Sequence, residues 1–130
     1  MRDENPGDME TPSTKREDLR QRTVRYSLAI MDLSEFIPNN PRGWVISKQV
    51  IRSGTSVGAQ YREACRAKSN PDFINKMEGS LQELDETLYW LELLKESKMV
   101  AVEKIAPVAK ETNELLAIFT TIVKKVKGTK

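Results

Sequence analysis

Apolar residues recur at helical spacing in four stretches, and turn-forming residues separate each stretch from the next. In the first, Val24, Leu28 and Met31, with Leu33 and Ile37 beside them, repeat until Pro38 stops the pattern, which predicts a helix over 18–37. The cluster Pro38-Asn39-Asn40-Pro41-Arg42-Gly43 follows, and its prolines forbid continuation of that helix. Asn40 then offers a cap, with Pro41 in the first turn, where its missing N–H costs nothing. A second helix over 42–68 carries Ile46, Val50, Ser53, Val57, Tyr61 and Ala64 on one stripe. At ~1.5 Å per residue it spans about 40 Å, the length of a bundle rod.

Ser69-Asn70-Pro71-Asp72 repeats the start signal, with Asn70 as the candidate cap. The third helix, over 71–96, sets Phe73, Met77, Ser80, Leu81, Leu84, Leu88, Leu91 and Leu94 in a slowly drifting stripe. A break near residues 97–101 precedes a fourth helix over 103–126, whose stripe runs from Ile105 through Val108, Thr112, Leu115, Phe119 and Val123 to Val126. Pro107 would move its start towards Ala106, and its closing lysines face the negative end of the helix dipole. No stretch alternates with period two for long enough to make a sheet. Four amphipathic helices with short turns pack most simply as an all-α, antiparallel up-down-up-down four-helix bundle over 18–127. Residues 1–17 hold two prolines, a glycine and alternating charges without an apolar period, and read as a disordered or weakly attached N-terminal arm.

Composition removes most kinds of chemistry. The 130 residues suit one domain, and 38% apolar with 31% charged residues excludes a membrane protein and argues against a fully disordered chain. The opening MRDENPGDME has no apolar signal segment, so the expected compartment is the cytoplasm. With no histidine and the single Cys65, a structural zinc site, a disulfide scaffold and a histidine-based triad all lack their parts, and neither metal nor cofactor is expected. Glu78, Glu83, Asp85, Glu86 and Glu92 on the third helix could be imagined on a metal, but no Glu-x-x-His element can exist here, and a solvated acidic face is the simpler reading. Arg62 and Arg66 flank Cys65 without being able to act as a general base. No enzyme is expected.

The charges divide sharply. Residues 39–71 carry six basic and one acidic side chain, 72–97 two basic and seven acidic, and 98–130 seven lysines and three glutamates. One reading is mutual compensation between antiparallel neighbours, with each surface pair contributing about 0–1 kcal/mol. The other is a phosphate-binding surface, for RNA or DNA, made by Arg52, Arg62, Arg66 and Lys68 with Lys124, Lys125 and Lys127, and repeated if several subunits assemble.

Arg52-Ser53-Gly54-Thr55-Ser56-Val57-Gly58-Ala59 is rich in small residues and lacks the strand context and Gly-Lys-Ser/Thr ending of a phosphate loop, so a close helix crossing is expected. Tyr89 and Trp90 widen the apolar arc of the third helix beyond one stripe. With Tyr61 they are candidate subunit-interface anchors, and a homo-oligomer is expected.

In combination, Arg52-Ser53-x-x-Ser56-Val57-x-Ala59, Tyr61-Arg62-Glu63-Ala64-x-Arg66-Ala67, Asp72-Phe73 and Glu86-Thr87-Leu88-Tyr89-Trp90-Leu91-Glu92-Leu93-Leu94 resemble the four-helix bundle proteins of the 23S ribosomal RNA intervening-sequence family, over residues 18–126. Arg52, Ser53, Ser56 and Glu63 match characteristic second-helix positions. Gln60 and Tyr61 stand where many members have Asn-Ile, and Ala64 where many have glycine. The resemblance implies a left-handed bundle assembled as a homopentameric ring. The chain is also similar to the accessory variability proteins of diversity-generating retroelements, which implies a nucleic acid or a nucleic-acid-bound protein as a partner of the basic surface.

Overall fold

The computed structural model describes residues 12–128, with side chains described from Asp18 onward. Four helices make up the fold: α1 (Pro12–Ser34), α2 (Pro41–Cys65), α3 (Asn70–Glu96) and α4 (Val102–Lys127). Each packs against its neighbours in sequence, and α4 returns to α1, giving an up-down-up-down bundle. The first helix begins at Pro12, ahead of the expected residue 18, and ends at Ser34, before the expected residue 37. Residues 1–11 of the expected arm lie outside the described residues.

Local chemistry accounts for the turns. Asn40 accepts a hydrogen bond from the Gly43 N–H at 2.9 Å and caps α2, with Pro41 in the first turn. A Cβ at position 43 would collide with the Pro38 carbonyl, so this compact reversal requires glycine. At α3 the cap is Ser69 rather than Asn70: its extended backbone lets the hydroxyl accept from the Asp72 N–H at 3.2 Å, while Asn70 is already inside the first turn. After α3 the chain reverses at Lys98, the one non-glycine residue with positive φ (61°) among the described residues, and the Met99 N–H returns to the Leu94 carbonyl at 3.1 Å. The expectation that Pro107 delays α4 is not met, since the helix starts at Val102 and runs through the proline. The carbonyl left without its N–H partner belongs to Glu103, in an exposed first turn where water can serve it.

The expected stripes of α2, α3 and α4 supply the core through Val50, Val57, Met77, Leu84, Leu91, Leu115 and Phe119. On α1 the expectation is corrected. Val24, Leu28 and Met31 are 43%, 51% and 47% exposed, and the buried stripe is Leu19, Thr23, Tyr26, Ile30, Leu33 and Ile37. Both sets have helical period, and apolarity alone favours the wrong one because the buried set contains two hydroxyl-bearing residues that find partners inside.

Those partners form a buried polar layer with a contribution from every helix. Tyr26 of α1 shares a 2.7 Å hydrogen bond with Thr112 of α4, and Ser53 of α2 shares one of 2.7 Å with Thr87 of α3. Thr112 donates to the Val108 carbonyl and Thr87 to the Glu83 carbonyl, so Tyr26 donates to Thr112 and Ser53 to Thr87, with the Val50 carbonyl, 3.5 Å from the Ser53 hydroxyl, as the weaker alternative acceptor. Burial pushes the Tyr26 phenol up to about 12.

Candidate functional site

Antiparallel topology brings the C-termini of α2 and α4 and the N-terminus of α3 to one end of the bundle. A groove of about 370 Å³ there is lined by Cys65 and Lys68 from the end of α2, Asn70 and Phe73 from the start of α3, and Val126 of α4. Two basic groups far apart in sequence thereby share one pole: Arg62, Arg66 and Lys68 with Lys124, Lys125 and Lys127, all exposed. Lys127 is bound to Glu78 at 3.1 Å and Lys125 is engaged with another group, whereas Arg62, Arg66, Lys68 and Lys124 form no ion pair among the described residues. The opposite pole mixes Glu35, Glu92, Glu96 and Glu103 with Arg42, Lys95, Lys98 and Lys104. The basic pole also holds Glu63, Asp72 and Glu78, which its basic residues outnumber, whereas the opposite pole is balanced, so the bundle carries its positive excess at one end.

Arg52 does not join the basic pole. It sits midway along α2, where its guanidinium bonds Glu86 and, at 3.3 Å, Glu83. The pair holds Arg52 above and Glu86 below their ordinary values, chiefly through the shared hydrogen bond. Arg52 thus follows the compensation reading, because α2 is basic where α3 is acidic. Glu63 likewise meets Lys76 of α3 at 3.4 Å. Of the second-helix positions that carry the family resemblance, Arg52, Ser53 and Glu63 all tie α2 to α3, and Ser56 bonds back to the Arg52 carbonyl at 2.7 Å. That signature is one of helix packing.

The three aromatic interface candidates separate. Tyr61 is corrected to the core: it is 3% exposed and its ring stacks on Phe119 with centroids 5.4 Å apart. Tyr89 is exposed, and Trp90 is half-buried against the core with its indole N–H donating to Glu86 at 3.1 Å. Their rings meet edge to face at 5.1 Å.

Two further apolar surfaces lie apart from these rings and from the larger groove of about 760 Å³ that Leu19, Ala117, Ile118 and Ile122 line between α1 and α4. One is the outer face of α1, with Val24, Leu28 and Met31. The other is a groove of about 450 Å³ between the start of α2 and the end of α3, lined by Pro41, Arg42, Val45, Ile46, Leu93, Ser97 and Met99. The double apolar stripe of α1 was the available signal for the first. Nothing in the sequence marks the second, which exists only where two helices meet. Among the described residues, no group of three or more histidine, cysteine, aspartate or glutamate side chains is placed to hold a metal ion, and no helix is long and apolar enough to cross a membrane.

Comparison with known proteins agrees with the fold and the signature. No curated protein matches the chain. A Bacteroides thetaiotaomicron protein of unknown function from the S23 ribosomal protein family, solved by crystallography at 1.70 Å resolution, is 37% identical and superimposes with a TM-score of 0.76 over 81% of this chain and 97% of its own. The likeness to retroelement accessory proteins gains no support from these comparisons. The family model described as 23S rRNA-intervening sequence protein matches residues 15–121, and the chain belongs to that family.

Proposed function

We propose that the protein is a non-enzymatic scaffold that works by self-assembly. The carrying observation is the outer face of α1, where Val24, Leu28 and Met31 expose an apolar line on the side away from a core that Tyr26, Ile30 and Leu33 already fill. A bundle helix needs one apolar stripe, and a second one in water marks a surface meant to be covered. Size exclusion with light scattering, at low and high salt, tests the reading. The expected result is a stable multiple of the 14.8 kDa subunit, five for the ring that the resemblance implies. A monomer at micromolar concentration overturns it.

A second reading, favoured by the basic pole, is that the assembly binds RNA or DNA. Arg62, Arg66, Lys68 and Lys124 at one end of each subunit would form a repeated cationic surface whose affinity falls steeply with salt, because each neutralised phosphate releases counterions. Binding to a fluorescent single-stranded RNA and a duplex DNA, measured from 50 to 300 mM salt, should weaken with salt and on reversing Arg62 and Arg66 to glutamate. Lys48→Glu, in the other half of α2, should change it little. No binding at the lowest salt defeats this reading and leaves the scaffold intact.

A further inference from the structure

We propose that residues 1–11 fold back over the basic pole of their own bundle, their carboxylates resting on Arg62, Arg66, Lys68 and Lys124. The contact stands independently of both functional readings, and only its consequence for RNA binding rests on the second.

Topology brings the segment to that pole. Thr23 of α1 stands against Gly58 of α2, and Ile30, further along α1, against Gly54, so α1 runs antiparallel to α2. Towards the start of α1, Asp18 and Leu19 share a groove with Thr121, Ile122 and Lys125 near the end of α4. Six residues, about 9 Å of helix, lead from Asp18 back to Pro12. The chain therefore enters the bundle at the end where α2 and α4 finish. The 11 residues before Pro12 reach up to ~36 Å when extended. Adjacent helices in a bundle lie ~8–10 Å apart, so the segment can cross the whole pole.

Charge decides what it meets there. Residues 1–11 hold Asp3, Glu4, Asp8 and Glu10 against the single Arg2, and Met1 and Met9 are their only large apolar side chains. Such a segment cannot build a core of its own, and charge governs where it rests. The carboxylates of the pole itself are already engaged: Glu63 meets Lys76 at 3.4 Å, Glu78 meets Lys127 at 3.1 Å, and Asp72 lies in the first turn of α3, at the positive end of its dipole. Arg62, Arg66, Lys68 and Lys124 are exposed and form no ion pair among the described residues. Carboxylates at positions 3, 4, 8 and 10 thus arrive beside as many cations. Pro6-Gly7 offers a turn between Asp3-Glu4 and Asp8-x-Glu10, which suits the division of those cations between the end of α2 and the end of α4.

Exposed ion pairs are individually weak and are screened by salt. A short covalent connection nevertheless holds the carboxylates near the pole at an effective concentration in the millimolar range, so that several weak pairs act together. An RNA phosphate approaching the same cations has to displace the segment first, which makes residues 1–11 an internal competitor for polyanions.

Zero-length carbodiimide coupling of the full chain tests the contact, since it joins a carboxylate to a lysine only where the two touch. Mass spectrometry should find peptides from residues 1–11 joined to Lys68 and Lys124, and not to Lys48 or Lys95, which are exposed but lie away from the pole. The coupling should fade at high salt and, in a mixture of isotope-labelled and unlabelled protein, should stay within one chain. Absence of coupling to the pole, equal coupling to Lys48, indifference to salt, or coupling between chains overturns the proposal. A full-length variant carrying Asp3→Asn, Glu4→Gln, Asp8→Asn and Glu10→Gln measures the consequence, with circular dichroism to check that its helices are kept. At low salt it should bind a fluorescent single-stranded RNA about tenfold more tightly than the wild type, within the ordinary range of coupling between two ligands of one protein. Equal affinities overturn the competition. If neither protein binds RNA, the nucleic-acid reading fails and the carbodiimide experiment still decides the contact.

Discussion

The seam between α1 and α2 is closed by small residues, and the seam between α1 and α4 is closed by long ones. Gly54 and Gly58 let α2 approach Ile30 and Thr23 of α1. Across the other seam, Arg22 spans to Glu111 and Glu114, each at 2.7 Å, and Lys104 lies 4.4 Å from the ring centre of Phe36. Beside Arg22, a groove of about 760 Å³ stays open between Leu19, Ala117, Ile118 and Ile122. Sterics hold the first kind of seam and screened electrostatics help to hold the second. Added atoms should break one, and salt should loosen the other.

The largest effect is expected at Gly54. A Cβ there lies 2.7 Å from Ile30 Cγ1, and Ile30 is fully buried with nowhere to move. Gly54→Val should cost about 3 kcal/mol, more than the ~1 kcal/mol that loss of a helical glycine returns. Urea unfolding measures it, and a variant as stable as the wild type would mean that this seam has slack.

Next comes the buried polar layer that joins the two kinds of seam. The Tyr26 phenol ionises at about 12 in the fold against an ordinary 10.0, because burial disfavours the phenolate. A raised folded value means full stability below pH 10, lost as pH climbs from about 10 to 12 while the unfolded chain releases its proton. The loss should reach roughly 2 kcal/mol. Tyr26→Phe removes this component, so the wild type's advantage over it should shrink between pH 9 and 11; a constant difference would refute the shift. Thr87→Val should cost about 1–2 kcal/mol by leaving the Ser53 hydroxyl poorly served. Adding Ser53→Ala should then cost less than it does alone, since removing both partners leaves nothing unpaired.

Most of the bundle was legible in sequence because caps, prolines and apolar periods are local. Asn40, Pro41 and the stripes of α2 to α4 needed no knowledge of what lay opposite them. The α1 face was misread for a non-local reason: Thr23 and Tyr26 are core residues only because Gly58 and Thr112 stand across from them. Tyr61 was drawn to the surface by its amphipathic ring, yet Phe119 on a distant helix gives it a stacking partner inside. Charge blocks gave the basic pole once four antiparallel helices were assumed. They could not separate Arg52, whose neutralising glutamates lie 31 and 34 positions further along the chain.

The smallest expected effect lies on the α1–α4 seam, where it separates the two modes of closure. Arg22 is held above its ordinary value, first by its hydrogen bond to Glu111, and its side chain is only partly exposed. Arg22→Ala should therefore cost about 1 kcal/mol at low salt, in the upper part of the range for surface pairs. The gap to the wild type should narrow at 1 M salt, where the screening length falls to about 3 Å. The Gly54→Val gap should not change with salt, because no charge takes part in it. If the Arg22→Ala gap is also independent of salt, the residue acts through its aliphatic stem lying over the open groove, and both seams are held by packing.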